Sequence, residues 1–254
     1  MVPDEFIPPD TPGARNASIE LVADVDVVAM SPLVRGMVMA VSYADTEGGI
    51  GLTASGAMNR KFVHWAAVHF DWPDYTSEDL YSISKVLNEA DMPPLWVVRD
   101  MLKHLRLVRR NKDRLLPTKR GRDFLARPHT FFDQIATDYL YAYIDYGQAQ
   151  DDVRERMRWW HVFLNLINIK ARKGCSLDDL VNELYPSESY SVTQASMVRA
   201  EFRHDIMRPL CWLGLLREER EGLRFLQDGT YYKTPLWAAC LELESDTQAE
   251  ITVS

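Results

Sequence analysis

The 254 residues predict a mainly α-helical protein with short β-ribbons, folded as two similar units. Three observations predict this. Apolar residues recur at helical spacing along most of the chain, as in Leu95, Val98, Leu102 and Leu105. Twice the period shortens to that of a strand pair, near 107–116 and near 215–233. The two switches also share a sequence: Leu102-Lys-His-Leu-Arg-Leu-Val-Arg109 and Leu210-Cys-Trp-Leu-Gly-Leu-Leu-Arg217 both read L-x-x-L-x-L-[V/L]-R.

The shared pattern has a physical meaning. Its first two leucines end a helix that faces a core. The residue at the fifth position, Arg106 or Gly214, turns the chain, and the next two apolar residues start a strand under the same helix. Each ribbon then ends in a threonine, Thr118 or Thr234, before a short helix.

The remaining elements follow in order. Residues 1–17, rich in Pro and Asp, are expected to be a disordered arm. An extended lead-in at 18–29 precedes Ser31-Pro32, a helix start with proline at the first helical position, and a helix to about 43. Helices are expected at 57–70, where Phe62, Trp65, Ala66 and His69 would face a core, at 77–88 and at 93–105. A short helix at 122–126 ends the first unit. Helices at 130–147, 151–172, 176–185 and from 191 onward, the last kinked near Pro209, build the second, with a closing helix at 235–243. The expected divisions are an arm at 1–17, a first domain at 18–129, a second at 130–243 and a flexible tail at 244–254.

Composition excludes several classes. No run approaches the roughly 18 apolar residues of a membrane span, and the acidic, proline-rich N-terminus does not read as a signal peptide. The chain is therefore expected in the cytoplasm, with no membrane partner. Cys175, Cys211 and Cys240 have neither metal-ligand nor redox spacing, and the six histidines form no ligand cluster. No glycine-rich phosphate loop, GxSxG or Cys–His pairing is present. We expect no enzyme, no metal and no cofactor.

The net charge of −8 hides a strong asymmetry. Residues 101–130 hold ten basic side chains against Asp113 and Asp123, a local balance of +8, while the segments on either side are acidic. The candidate phosphate-binding residues are Arg106, Arg109, Arg110, Lys112, Arg114, Lys119, Arg120 and Arg122, several of which could converge by strand alternation. The preceding helix adds Trp96, Arg99 and Lys103 at its outward positions. By contrast the second ribbon sets Arg217, Arg220 and Arg224 against Glu218, Glu219, Glu221 and Asp228, a balance unsuited to DNA.

The helix–helix–helix–ribbon order and the L-x-x-L-x-L-[V/L]-R run resemble the winged-helix superfamily, over roughly 57–127 and 151–243. That resemblance implies two winged-helix units. The first copy departs from the superfamily pattern in having Arg106 where Gly is usual and Pro117 before Thr118 where Leu is usual, and the second lacks a Gly after Thr234. The reading is a duplex-DNA-binding regulator of transcriptional or plasmid/phage type, working through its first unit. The second unit would serve dimerisation or a protein partner. The alternative is a protein–protein adaptor that does not bind DNA, since tandem winged-helix subunits of chromosome-organising complexes are also acidic. A tandem winged-helix replication initiator would need a second basic face, which the sequence lacks.

Overall fold

The computed structural model describes residues 19–142, 159–185, 191–220 and 229–251. It is mainly α-helical, with two three-stranded antiparallel sheets. The compact units are 26–139, and 1–25 together with 140–254. The division thus falls at 139/140 rather than 129/130, and the lead-in at 19–25 belongs with the C-terminal unit. There Ile19 bridges Leu241, and Val22 donates its N–H to the Ala239 carbonyl at 2.9 Å.

In the unit 26–139, α1 (Val27–Met30) replaces the end of the expected extended stretch, because the Asp26 carboxylate caps it at the Val28 and Ala29 amides. The Ser31 hydroxyl accepts from Val34 N–H and opens α2 (Pro32–Thr46), which buries Leu33, Val34, Met37, Ala40 and Val41. β1 (Ile50–Gly51) follows, then α3 (Arg60–His69), whose start is set by the Asn59 cap on Phe62. Phe62 and Ala66 enter the core as expected. His69 does not: it is exposed, stacks on Trp65 with ring centroids 4.7 Å apart, and bonds the Trp65 carbonyl.

α4 (Ser77–Ile83) opens with a Thr76–Asp79 capping box and stops short of 88, because Ser84 is extended. A 3-10 turn, Glu89–Asp91, leads to α5 (Pro94–His104), where Leu95, Val98, Leu102 and Leu105 are all buried. β2 (Val108–Asn111) and β3 (Arg114–Pro117) form the predicted ribbon, with Val108 opposite Pro117 and Asn111 opposite Arg114. β1 lies on the other side of β3, Ile50 opposite Leu115. α6 (Lys119–Ala126) begins directly at the Thr118 cap, and α7 (Phe132–Thr137) follows. Residue 121 must be glycine, since a Cβ there would run into the Leu107 carbonyl oxygen where α6 meets the ribbon.

The second unit repeats this order: α8 (Trp160–Lys170), β4 (Cys175–Ser176), α9 (Leu177–Leu184), α10 (Val192–Phe202), α11 (Arg208–Leu213), β5 (Leu216–Glu219), β6 (Thr230–Lys233) and α12 (Pro235–Cys240). The sheet orders correspond, β1-β3-β2 and β4-β6-β5. The disturbance expected at Pro209 lies just before it, as a π-turn over Arg203–Met207. Proline has no N–H to close the preceding helical turn, so the helix widens there. Of the aromatics near the second ribbon, Trp212, Tyr231 and Trp237 are core residues, whereas Phe225 lies outside the described residues. The expected arm at 1–17 and the helix ends at 143–158 also lie outside them.

The tail differs from expectation. α13 (Glu244–Ile251) is helical, and its first turn is tied to buried Asn168. The Asn168 amide donates to Ser245 Oγ at 2.8 Å and Asp246 Oδ1 at 2.7 Å, while its oxygen accepts from Lys233 Nζ at 2.8 Å and Trp237 Nε1 at 3.1 Å.

The internal repeat is reproduced bond for bond. Leu107 N–H reaches the Leu102 carbonyl at 2.8 Å, and Leu215 N–H reaches that of Leu210 at 2.9 Å. Thr118 Oγ1 donates to the Arg106 carbonyl at 2.8 Å, and Thr234 Oγ1 to that of Gly214 at 2.6 Å. The turning residue is left-handed in both copies, φ 55° at Arg106 and 88° at Gly214. Such a conformation costs a side-chain-bearing residue about 1–2 kcal/mol, part of which glycine returns as unfolded-chain entropy. Arg106→Gly is therefore expected to stabilise the first unit by up to about 1 kcal/mol, and Gly214→Arg to destabilise the second by about 1–2 kcal/mol. Urea midpoints of the two variants, moving in opposite directions, check this.

Candidate nucleic-acid interface

The eleven candidate residues divide into two groups. Arg99, Arg114, Arg120 and Arg122 are engaged by the fold. Arg99 pairs with Glu89 and with Asp100 Oδ1 at 3.1 Å, and its side chain is 15% exposed. Burial works against its charge, but the attraction of Glu89 and then Asp100 outweighs this and raises it above the ordinary arginine value. Arg114 donates to the Gly48 carbonyl at 3.1 Å, past the C-terminus of α2. Arg120 donates to the Leu105 carbonyl and to Gln134 Oε1, with its guanidinium 5.0 Å from the Phe131 ring centre. Arg122 pairs with Asp45 at 2.9 Å.

Arg99 and Trp96, both expected outward on α5, are corrections, since each is half-buried. Arg114, Arg120 and Arg122 are exposed as expected, but each already has a partner. Their positions on helix and ribbon are as expected, but carboxylates and carbonyls distant in sequence claim the guanidinium groups first. Glu89 is the functional neighbour that sequence reasoning missed. The one available signal was its position five residues before the α5 start, close enough to place a carboxylate beside that helix.

Lys103, Arg106, Arg109, Arg110, Lys112 and Lys119 form the second group. All are exposed, and among the described residues none makes an ion pair. Arg110 Nε donates to the Lys112 carbonyl at 3.0 Å, steadying the turn in which Lys112 takes φ 54°. The register separates neighbours. Arg110 stands opposite Leu115, which is in the core, and Arg109 opposite Leu116, so the two arginines leave opposite faces of the ribbon. Arg110 shares its side with α5: burial first, then Arg99 and, more weakly, Arg110 depress Lys103 below the ordinary lysine value, with Asp100 and Glu89 opposing. The register thus spreads the ribbon's charge over both faces, with Arg110 on one and Arg109 and Arg114 sharing the other.

The second ribbon inverts this pattern. Counted from the shared run, Glu218 takes the place of Arg110, and it stands opposite Tyr231. Glu218 accepts from Arg220 at 2.6 Å and from Gly229 N–H at 3.1 Å, with Arg203 at 3.6 Å. Burial opposes its charge, but these partners together hold the carboxyl below its ordinary value. Arg217 pairs with Glu219 and lies over the Tyr232 ring at 4.9 Å. Burial pushes the Cys175 thiol up to about 11, with Asp179 adding to the shift, so it stays protonated and inert at neutral pH.

Comparison with known proteins follows the same division. The Y4jL N-terminal domain model matches residues 29–130 and the y4jL C-terminal domain model matches residues 149–235. Uncharacterized protein y4jL from Sinorhizobium fredii is 81% identical over 172 residues, which cover 68% of this chain and 78% of that protein. The chain belongs to the y4jL family. No solved structure matches it. Within the y4jL frame the six cations of the second group fall in the N-terminal domain and the inverted ribbon in the C-terminal one, while α13 lies beyond the matched segment. Among the described residues no helix is long and apolar enough to cross a membrane, and no three His, Cys, Asp or Glu side chains are grouped to hold a metal ion.

Proposed function

We propose that the protein binds duplex DNA through the ribbon of its first unit, as a cytoplasmic, non-enzymatic regulator of winged-helix type. The observation that carries this reading is the set of six exposed, unpaired cations, Lys103, Arg106, Arg109, Arg110, Lys112 and Lys119, in a chain of net charge −8. Lys61, Arg122, Lys170, Arg199 and Arg217 each have a carboxylate partner. Arg60, Lys85, Arg127, Arg172 and Lys173 are also exposed without an ion pair among the described residues, but six such cations lie together around the first ribbon, a concentration that suits a phosphate backbone. The helix–strand–helix–helix–helix–strand–strand order shared by the two units, with each ribbon directly after its last helix, supports the winged-helix reading. The second unit, with its acidic self-paired ribbon, serves dimerisation or a protein partner.

Fluorescence anisotropy of a labelled duplex of roughly 30 base pairs tests this. If three to five phosphates are neutralised, log K falls with log salt at a slope of about −3 to −4.5. The variant Arg109→Glu/Arg110→Glu/Lys112→Glu is expected to abolish binding. Arg122→Gln, which loses only the pair to Asp45, is expected to leave it within about twofold, because that cation already has a partner. Absence of binding at about 50 mM salt, or equal binding by the triple variant, would overturn the proposal. The second reading, an adaptor that contacts only protein, is favoured by the inversion at Glu218, and it becomes the working reading in that event.

A further inference from the structure

In a helix-turn-helix arrangement the second helix offers side chains to base edges in the major groove. α5 takes that place in the first unit, yet its surface is nearly closed. Of its residues only Lys103 and His104, both in the last turn, are exposed. His104 Nε2 is 3.0 Å from the Asp138 carboxylate. In the first turns Pro94, Leu95, Val97 and Val98 are buried and Trp96 half-buried. Pro93 and Pro94 bring no N–H to the helix start.

Arg99 is the one side chain of α5 suited to the two-pronged contact with guanine. It is claimed by Glu89 and Asp100. Glu89 is itself 4% exposed, and its other oxygen accepts from Met58 N–H at 3.1 Å, which ties the 3-10 turn to the segment before α3. Turning Arg99 toward a base would leave two largely buried carboxylates without their counter-charge, a larger loss than one base contact returns. Lys103 remains, at the helix end nearest the ribbon, where it meets phosphate rather than base edge. In the second unit, Arg199 of α10 is paired with Asp178 at 2.6 Å.

We infer that this chain grips duplex DNA by its phosphates and does not discriminate base sequence; the inference rests on the DNA reading given above. Arg99 is a positioning residue of the fold and not a contact to DNA.

The test is selection of the full chain on a randomised duplex pool, followed by anisotropy on unrelated duplexes of equal length. The expected result is no enriched motif and affinities within about threefold of one another, because the phosphate term is shared by all sequences. Arg99→Gln, confirmed folded, is expected to keep wild-type affinity within about twofold, whereas Lys103→Gln weakens every duplex alike and lowers the salt slope by about one. An enriched motif bound more than about tenfold better than its scrambled form overturns the inference and leaves the DNA reading standing. A selective loss of one sequence in Arg99→Gln does the same. A chain that binds no duplex overturns both. Should Arg99→Gln fail to fold, the selection with the wild-type chain decides alone.

Discussion

Asn168→Leu is expected to destabilise the second unit by about 4 kcal/mol, because leucine shares the branched shape of asparagine but is bulkier and supplies none of its four side-chain hydrogen bonds. The side chain joins three elements that share no local sequence. Its oxygen takes Lys233 from β6 and Trp237 from α12, and its amide takes Ser245 and Asp246 from α13. Chiefly through burial, with Arg172 adding and Asp246 opposing, Lys233 is held below the ordinary lysine value, so its ammonium depends on these acceptors. The substitution leaves an ammonium, an indole N–H and a carboxylate competing for water they only partly reach. Urea unfolding of the full chain checks the size, with a lowered midpoint and an unchanged slope. Asp246→Ala should cost about 1–2 kcal/mol, since it removes two bonds at an exposed end, from the Asn168 amide and from Leu243 N–H. A tail that did not pack would make that second variant neutral.

In the first unit the corresponding keystone is Glu89, and Glu89→Ala is expected to cost about 3 kcal/mol. Two losses add. The Met58 N–H, whose residue is 2% exposed, loses its acceptor, and Arg99 loses the better buried of its two carboxylates. The remaining pair with Asp100 keeps the cost below that of isolating the guanidinium entirely. Glu89→Gln retains an acceptor for Met58 and gives up the charge, so about half the loss should return. Thermal unfolding followed by calorimetry distinguishes the two, with the alanine variant melting first.

The architecture was legible because it is written in periods. The stripe Leu95, Val98, Leu102, Leu105 is helical in spacing and buried in fact, and the L-x-x-L-x-L-[V/L]-R runs mark where helix gives way to strand in both units. Caps at Ser31 and Ser176 were readable for the same local reason, whereas Thr118, read as the end of the ribbon, also caps α6. The site was legible only as a region. Arg122 meets Asp45 and Arg114 meets the end of α2, and pairings across such sequence distances are decided by packing. The opposite facing of Arg109 and Arg110 was implicit in strand alternation, and the density of charge obscured it. α13 escaped notice because its sequence is polar all round and its anchor, Asn168, looks like an ordinary helical residue.

The way β1 joins its sheet has a consequence for how the molecule comes into being. β2 and β3 are neighbours along the chain and close through a two-residue turn, an event of about 1–10 microseconds. β1 must arrive from about sixty residues upstream, against the entropy of closing that loop. The last tie is Leu52 N–H on the Asp113 carbonyl, at the very turn of the hairpin. A nascent chain therefore carries its cations first on a swinging ribbon and only later on a fixed one. The Leu52 amide times that change: its exchange with solvent should slow after the hairpin amides are already protected.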